Sequence, residues 1–129
     1  MISPTGQPVR RPDKWGRGEY GATRGGKIHQ GSDYDCKPGQ DVVAPIEGIV
    51  IRRARPYRKG SYSGLLIQGK HMALKMFYVK PSKGIVRSHV YQGDKIGEAQ
   101  DISLKYPGMT PHIHVRIDSA DPEIFTHML

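Results

Sequence analysis

Cysteine occurs once in 129 residues, at Cys36. No internal disulfide can form, so the cystine-stapled scaffold of many small secreted domains is excluded. A chain of this length builds one hydrophobic core without staples, and a single domain is expected. Long apolar runs are also missing: no segment approaches the 18 or so consecutive apolar residues of a membrane helix. The opening MISPTGQPVRRPDK has charges and prolines where a signal peptide needs an apolar stretch. Helical periodicity is lacking too, because no segment longer than about ten residues keeps an apolar repeat of 3.6.

Acidic residues are the scarcer charge, 12 against 20 lysines and arginines, which leaves a formal net charge of +8. That balance favours polyanionic partners, either nucleic acid or an anionic cell-wall polymer. The basic residues gather in IRRARPYRKG, residues 51–60. No recognition helix, zinc-finger pattern or aromatic RNA-binding signature accompanies them, so nucleic-acid binding through this segment would be non-specific. Its plainest reading is a solvated hairpin tip.

What the chain has in abundance is punctuation. Sixteen glycines and ten prolines cut it into short pieces with β-favouring content. VVAPIEGIVIRR, residues 42–53, reads as strand, tight turn and strand, with Pro45 and Gly48 at the corner. A second hairpin follows, with an apolar run over 64–68, a turn at Gly69 and Lys70, and a strand from Ala73 to Val79. HVYQGDKIGEA carries a Gly-Asp turn and a short strand. The fold class expected is all-β, built of antiparallel strands. The first 26 residues, polar and rich in glycine and proline, should form an irregular arm that wraps the sheet, ahead of a β domain over 27–129.

In PHIHVRID, residues 111–118, strict alternation puts His112, His114 and Arg116 on one strand face and Ile113, Val115 and Ile117 on the other. Two imidazoles at i and i+2 sit about 7 Å apart along the backbone and point the same way. One can ligate a metal while its neighbour leans over the site. The segment KIHQGSDYD, residues 27–35, offers complementary donors in His29 and Asp33. Gly31 and the preceding glycines oppose a regular helix there, and in a flat strand the pair would lie about 13 Å apart. The chain must therefore turn between them for both to reach one ion. His29, Asp33 and His114 together make a set of two histidines and one carboxylate with a fourth position open, which is the pattern of a catalytic zinc site. His71, His89 and His127 have ordinary explanations as exposed residues, and Asp35 is a candidate for holding an imidazole N–H from behind.

HQGSD, VVAPIEG, GDKIG and PHIHV occur in the order seen in lysostaphin-type zinc endopeptidases, which this chain resembles over residues 27 to 118. Within that fold, LKMFYVKP, YPGMTPHIHV and the trailing SADP are similar to segments of the chemotaxin branch. The resemblance implies an antiparallel β-sheet domain of the duplicated hybrid-motif kind, with an open groove. It also implies Zn2+ held by His29, Asp33 and His114, with His112 handling protons. Active members carry a YxH segment, and here Tyr78 is in place but Lys80 falls where the histidine would be. Tyr78 or Lys80 would then support a developing oxyanion. Two functions follow from the resemblance. One is a zinc-dependent endopeptidase cutting peptide amides of bacterial peptidoglycan, brought to its substrate by a phage or effector route. The other is a catalytically inactive, zinc-binding, chemotaxin-like binding domain. A monomer acting extracellularly, in the periplasm or on a virion suits both.

Overall fold

The computed structural model describes residues 1–9, 23–24, 27–28 and 31–120. Within them the strands are β1 Thr23–Arg24, β2 Lys27–Ile28, β3 Ser32–Asp35, β4 Asp41–Val43, β5 Gly48–Ala54, β6 Gly64–Gln68, β7 Met72–Phe77, β8 Val79–Pro81, β9 His89–Val90, β10 Lys95–Ala99 and β11 His112–Ala120. The one helical turn among the described residues is a 3-10 turn at Ile102–Leu104, capped by the Asp101 carboxylate, which accepts from the Ser103 backbone N–H at 3.0 Å. The fold is thus all-β, and its ladders are antiparallel. A six-stranded sheet runs β3-β11-β7-β6-β5-β9, a three-stranded sheet runs β4-β10-β8, and β1 pairs with β2.

Alternation decides which face is core. Met72, Leu74 and Met76 on β7, Leu65 and Ile67 on β6, and Ile113 and Val115 on β11 are buried together. Val42, Val79 and Ile96 from the smaller sheet join the same apolar cluster. Each such side chain contributes about 1.5–3 kcal/mol when fully withdrawn from water, so this shared layer is what holds the two sheets to each other. The opposite face of the larger sheet, carrying Asp33, His112, His114 and Phe77, is left for other uses.

The hairpin expected over residues 64–79 forms, with Gln68 opposite Ala73 and the turn closed by the Gly69 N–H donating to Met72 O at 2.8 Å. It ends two residues earlier than its composition suggests, at Phe77. Tyr78 adopts φ +72°, and the chain leaves the larger sheet there to enter the smaller one as β8. VVAPIEGIVIRR contains two strands, as expected, but they do not pair with each other. β4 joins β10 in the smaller sheet while β5 joins β6 and β9 in the larger. The reason lies at the corner: Ala44 bonds the 93–94 turn through its N–H and carbonyl, and Pro45, lacking an N–H, accepts from Ile2.

Residues 1–9 wrap the domain. Ile2 donates to Pro45 O and Val43 to Pro4 O, each at 3.0 Å, while Val9 bridges to Tyr34. β1 and β2 pair across the expected boundary between arm and domain, with Thr23 opposite Ile28.

Candidate metal and ligand site

Register brings the two donor segments together. β3 and β11 lie side by side with Asp33 directly opposite His114 and Asp35 opposite His112. Asp33 is 1 % exposed and its Oδ1 stands 2.6 Å from His114 Nδ1. Its other oxygen is 3.8 Å from His112 Nε2. Buried carboxylates are costly unless paired, and here two imidazoles stand ready to pair with one. His112 is buried as well, and its Nδ1 lies 2.7 Å from the Thr110 carbonyl. A carbonyl only accepts, so Nδ1 carries the proton. In the neutral ring Nε2, on the side of Asp33, is then the nitrogen with the lone pair.

Gly31 fixes the other ring. A Cβ at this position would stand 2.5 Å from Val115 O and 2.7 Å from His114 Nε2. The close approach of the 31–32 backbone therefore backs the Nε2 edge of His114 and leaves Nδ1 to face the Asp33 carboxylate. An imidazole nitrogen and a carboxylate oxygen that converge in this way are the donor chemistry zinc takes. His29, the third ligand expected from the sequence, lies outside the described residues. No three His, Cys, Asp or Glu side chains among the described residues form a set able to hold a metal ion.

Around these donors runs an aromatic wall that the sequence reading did not single out, apart from Tyr78. A cleft of about 220 Å³ is lined by Asp33, His112 and His114 with Pro56, Phe77, Tyr78 and Met109. Phe77, the register partner of His114 on β7, stacks on its ring with centroids 6.1 Å apart. Tyr78 packs edge-on against His112 at 5.3 Å. Its strained backbone is held from both sides, the N–H by Ser63 O and the carbonyl by Gln100 N–H. For a non-glycine residue this conformation costs about 1–2 kcal/mol, and what it achieves is to set the ring beside His112. Tyr57 and Tyr62 extend the wall, and Tyr57 Oη is 3.3 Å from Tyr78 Oη. Burial, and then hydrogen bonding with Tyr106 and Tyr78, push the Tyr57 phenol far above the usual tyrosine range. It is a fixed hydroxyl and not a base. The signal for this wall was present in YPGMT and in the tyrosines of the 51–62 region, which read as solvated loop.

Lys80 sits apart from this cleft. It is exposed on β8 and lines a second, larger cleft of about 460 Å³ with Arg53, Arg55, Ser61, Tyr62 and Gln100. The basic 51–60 segment is, as expected, mostly a hairpin end. It forms the tip of β5 and the β5–β6 connection, but Pro56 and Tyr57 fold inward. His71 lies at the β6–β7 turn beside Met1 and Met72, away from the site. His89 pairs with Glu47 at 3.0 Å, and His127 is outside the described residues. Asp35 does not hold an imidazole through its buried oxygen: Oδ1 has no hydrogen-bond partner among the described residues, and the Thr110 carbonyl does that work for His112.

Residues 27–124 match the pattern of peptidase family M23. The chain belongs to peptidase family M23. It is 35% identical over 120 residues to leukocyte cell-derived chemotaxin-2 of Bos taurus, covering 91% of this chain and 78% of that protein. The Mus musculus protein of the same name is 32% identical over 126 residues, with 95% and 82% covered. The solved catalytic domain of lysostaphin from Staphylococcus simulans superimposes with a TM-score of 0.56 at 22% identity, covering 85% of this chain and 87% of that one. The domain therefore has the lysostaphin-like β fold and chemotaxin relatives.

Proposed function

We propose that this chain is a zinc-carrying, peptide-binding domain on the M23 fold, with the metal held by His29, Asp33 and His114 and with no efficient peptidase activity. The observation that carries this reading is Lys80. An ammonium stands where active members have an imidazole, and it lines the arginine-rich cleft and not the one bounded by Asp33, His112 and His114. The name chemotaxin, borne by relatives at 32% and 35% identity, points the same way.

Zinc, when bound, supplies a Lewis acid for a carbonyl or a water. The chain's own residues do the rest. Asp33 and His114 orient each other across β3 and β11. Phe77 keeps the His114 ring in plane, and the tyrosine wall excludes water from one side of the cleft.

The second reading, an endopeptidase acting on peptidoglycan amides, is favoured by His112. Its Nε2 carries the lone pair of the neutral ring and lies in the cleft beside Asp33, which suits a base that takes a proton from water and returns it to a leaving amine. Tyr78 would be the oxyanion donor. The two readings separate on purified peptidoglycan of several chemotypes incubated with zinc-loaded protein. Sedimentation with the polymer and no new amine supports the binding domain, whereas amine release that a chelator abolishes supports the enzyme.

A further inference from the structure

The cleft that Lys80 lines has a composition of its own. Arg53 and Arg55 stand at the end of β5, Lys80 enters from β8 in the other sheet, and Tyr62 closes one side. Among the described residues no carboxylate forms a salt bridge with Arg53, Arg55 or Lys80. Even Glu98, opposite Lys80 across the β8–β10 ladder, makes none. Three like charges facing one concavity repel each other, and an anion seated among them would relieve that repulsion while meeting guanidinium donors suited to a planar oxyanion. The walls are already pinned. Gln100 Nε2 donates to Ser61 O and its Oε1 accepts from Ser63 N–H, both at 2.9 Å, so little ordering is left for a ligand to cause.

The cleft also adjoins the histidine site. Arg55 lines one cleft and its neighbour Pro56 the other. Tyr62 of the basic cleft packs edge-on against Tyr78 of the histidine cleft at 6.1 Å, and Ser63 O accepts from Tyr78 N–H. A chain lying in one cleft reaches the other by crossing this single tyrosine wall.

We propose that the Arg53–Arg55–Lys80 cleft is a subsite for the carboxylate of an acidic residue in the same peptide that occupies the histidine cleft. This rests on the peptide-binding reading and deepens it. Lys80 is then a specificity residue. The ammonium that stands in place of the family's imidazole serves recognition of the ligand's acid and not chemistry on its amide.

The test uses the zinc-loaded full chain and two short peptides, N-acetyl-alanyl-glutamyl-alanine amide and its glutamine counterpart. The glutamate peptide should bind about tenfold tighter or more, the range expected of charge-assisted hydrogen bonds. In the triple variant Arg53→Gln, Arg55→Gln, Lys80→Gln the ratio of the two affinities should fall to about one. Acetate, titrated alone by NMR, should saturate shifts at Ser61, Tyr62 and Lys80 in the wild type and not in the variant. A glutamate-to-glutamine ratio near one in the wild type, or a ratio the triple variant retains, overturns the subsite. Inorganic phosphate binding tenfold tighter than acetate, with no preference between the peptides, overturns it in favour of a phosphate-bearing ligand. Binding of the glutamine peptide that is lost in His114→Ala reports on the peptide-binding reading alone and stands whatever the ratio. If neither peptide binds the wild type, both readings fall.

Discussion

Asp33 and His114, 81 positions apart in sequence, meet 2.6 Å apart as direct cross-strand partners on β3 and β11. Asp33 is nearly fully buried, so removing either member costs the other a buried hydrogen bond. His114→Ala is therefore expected to lower zinc from one equivalent per chain to a trace and to lower the melting temperature of the metal-free protein as well. Elemental analysis and a thermal melt check the two halves. A full equivalent of zinc retained by the variant with an unchanged melt would remove Asp33 and His114 from the metal site.

Cys36 should be nearly inert. Burial, reinforced by the charges of Asp35 and Asp101, pushes its thiol up to about 12, and only the thiolate attacks. At pH 8 its labelling by an aromatic disulfide should run about a thousandfold slower than that of an ordinary thiol in unfolded chain. The unfolded chain loses this proton near pH 9.0 and the folded chain near 12. The thiol's contribution to stability is therefore complete below pH 9 and disappears as pH climbs toward 12. Rapid labelling of the native protein at pH 8 would contradict the burial argument.

The RRARPYRK segment exposes Arg52, Arg53, Arg55, Arg58 and Lys59 with no base-reading element beside them. Binding to mixed-sequence DNA and to an anionic wall polymer should both weaken steeply between low and physiological salt, with no preference among DNA sequences. A sequence-selective complex that survives physiological salt would show that the segment reads more than charge.

Wild-type protein with a full equivalent of zinc is expected to release no new amine from peptidoglycan, and Lys80→His is expected to gain none, because residue 80 lines the basic cleft and not the one bounded by Asp33, His112 and His114. His112→Ala should leave zinc bound, and any trace of release by the wild type should vanish with it, because a lost general base typically costs about 10²–10⁴ in rate. Efficient, chelator-sensitive release by the wild type would make the endopeptidase reading the correct one.

Much of the fold is legible along the chain. PHIHVRID announces β11 by its alternation, and the 64–79 hairpin follows from a local turn at Gly69 and Lys70, since both signals are contained in a few consecutive residues. The Asp33–His114 pairing is half legible: donor types and facing could be read, but the register that opposes them depends on strands far apart in sequence. What stayed hidden is non-local. Nothing within VVAPIEGIVIRR says that its two strands belong to different sheets, because the partners that separate them are Ile2, Gly93 and Asp94. The tyrosine wall escaped for the same reason, as Tyr57 and Tyr62, Tyr78, and Tyr106 come from three separate segments, and only Tyr78 reads as part of a strand. Lys80 could be recognised as a departure at its position, but the cleft it lines is assembled from β5, β8 and the β5–β6 connection.

β11 occupies an interior place in the larger sheet, between β3 and β7, although it is the last strand in the described chain. Among the described residues β3 has no ladder in that sheet except with β11. During synthesis, Asp33 therefore waits without its strand partner until nearly the whole domain has emerged, and closing so long a loop carries an entropic cost that only the finished sheet repays. The donor pair cannot come together in a half-made chain. Metal capture is thereby linked to completion of the fold, and a chain truncated before residue 112 would lose both the closing strand and the two histidines of the cleft at one stroke.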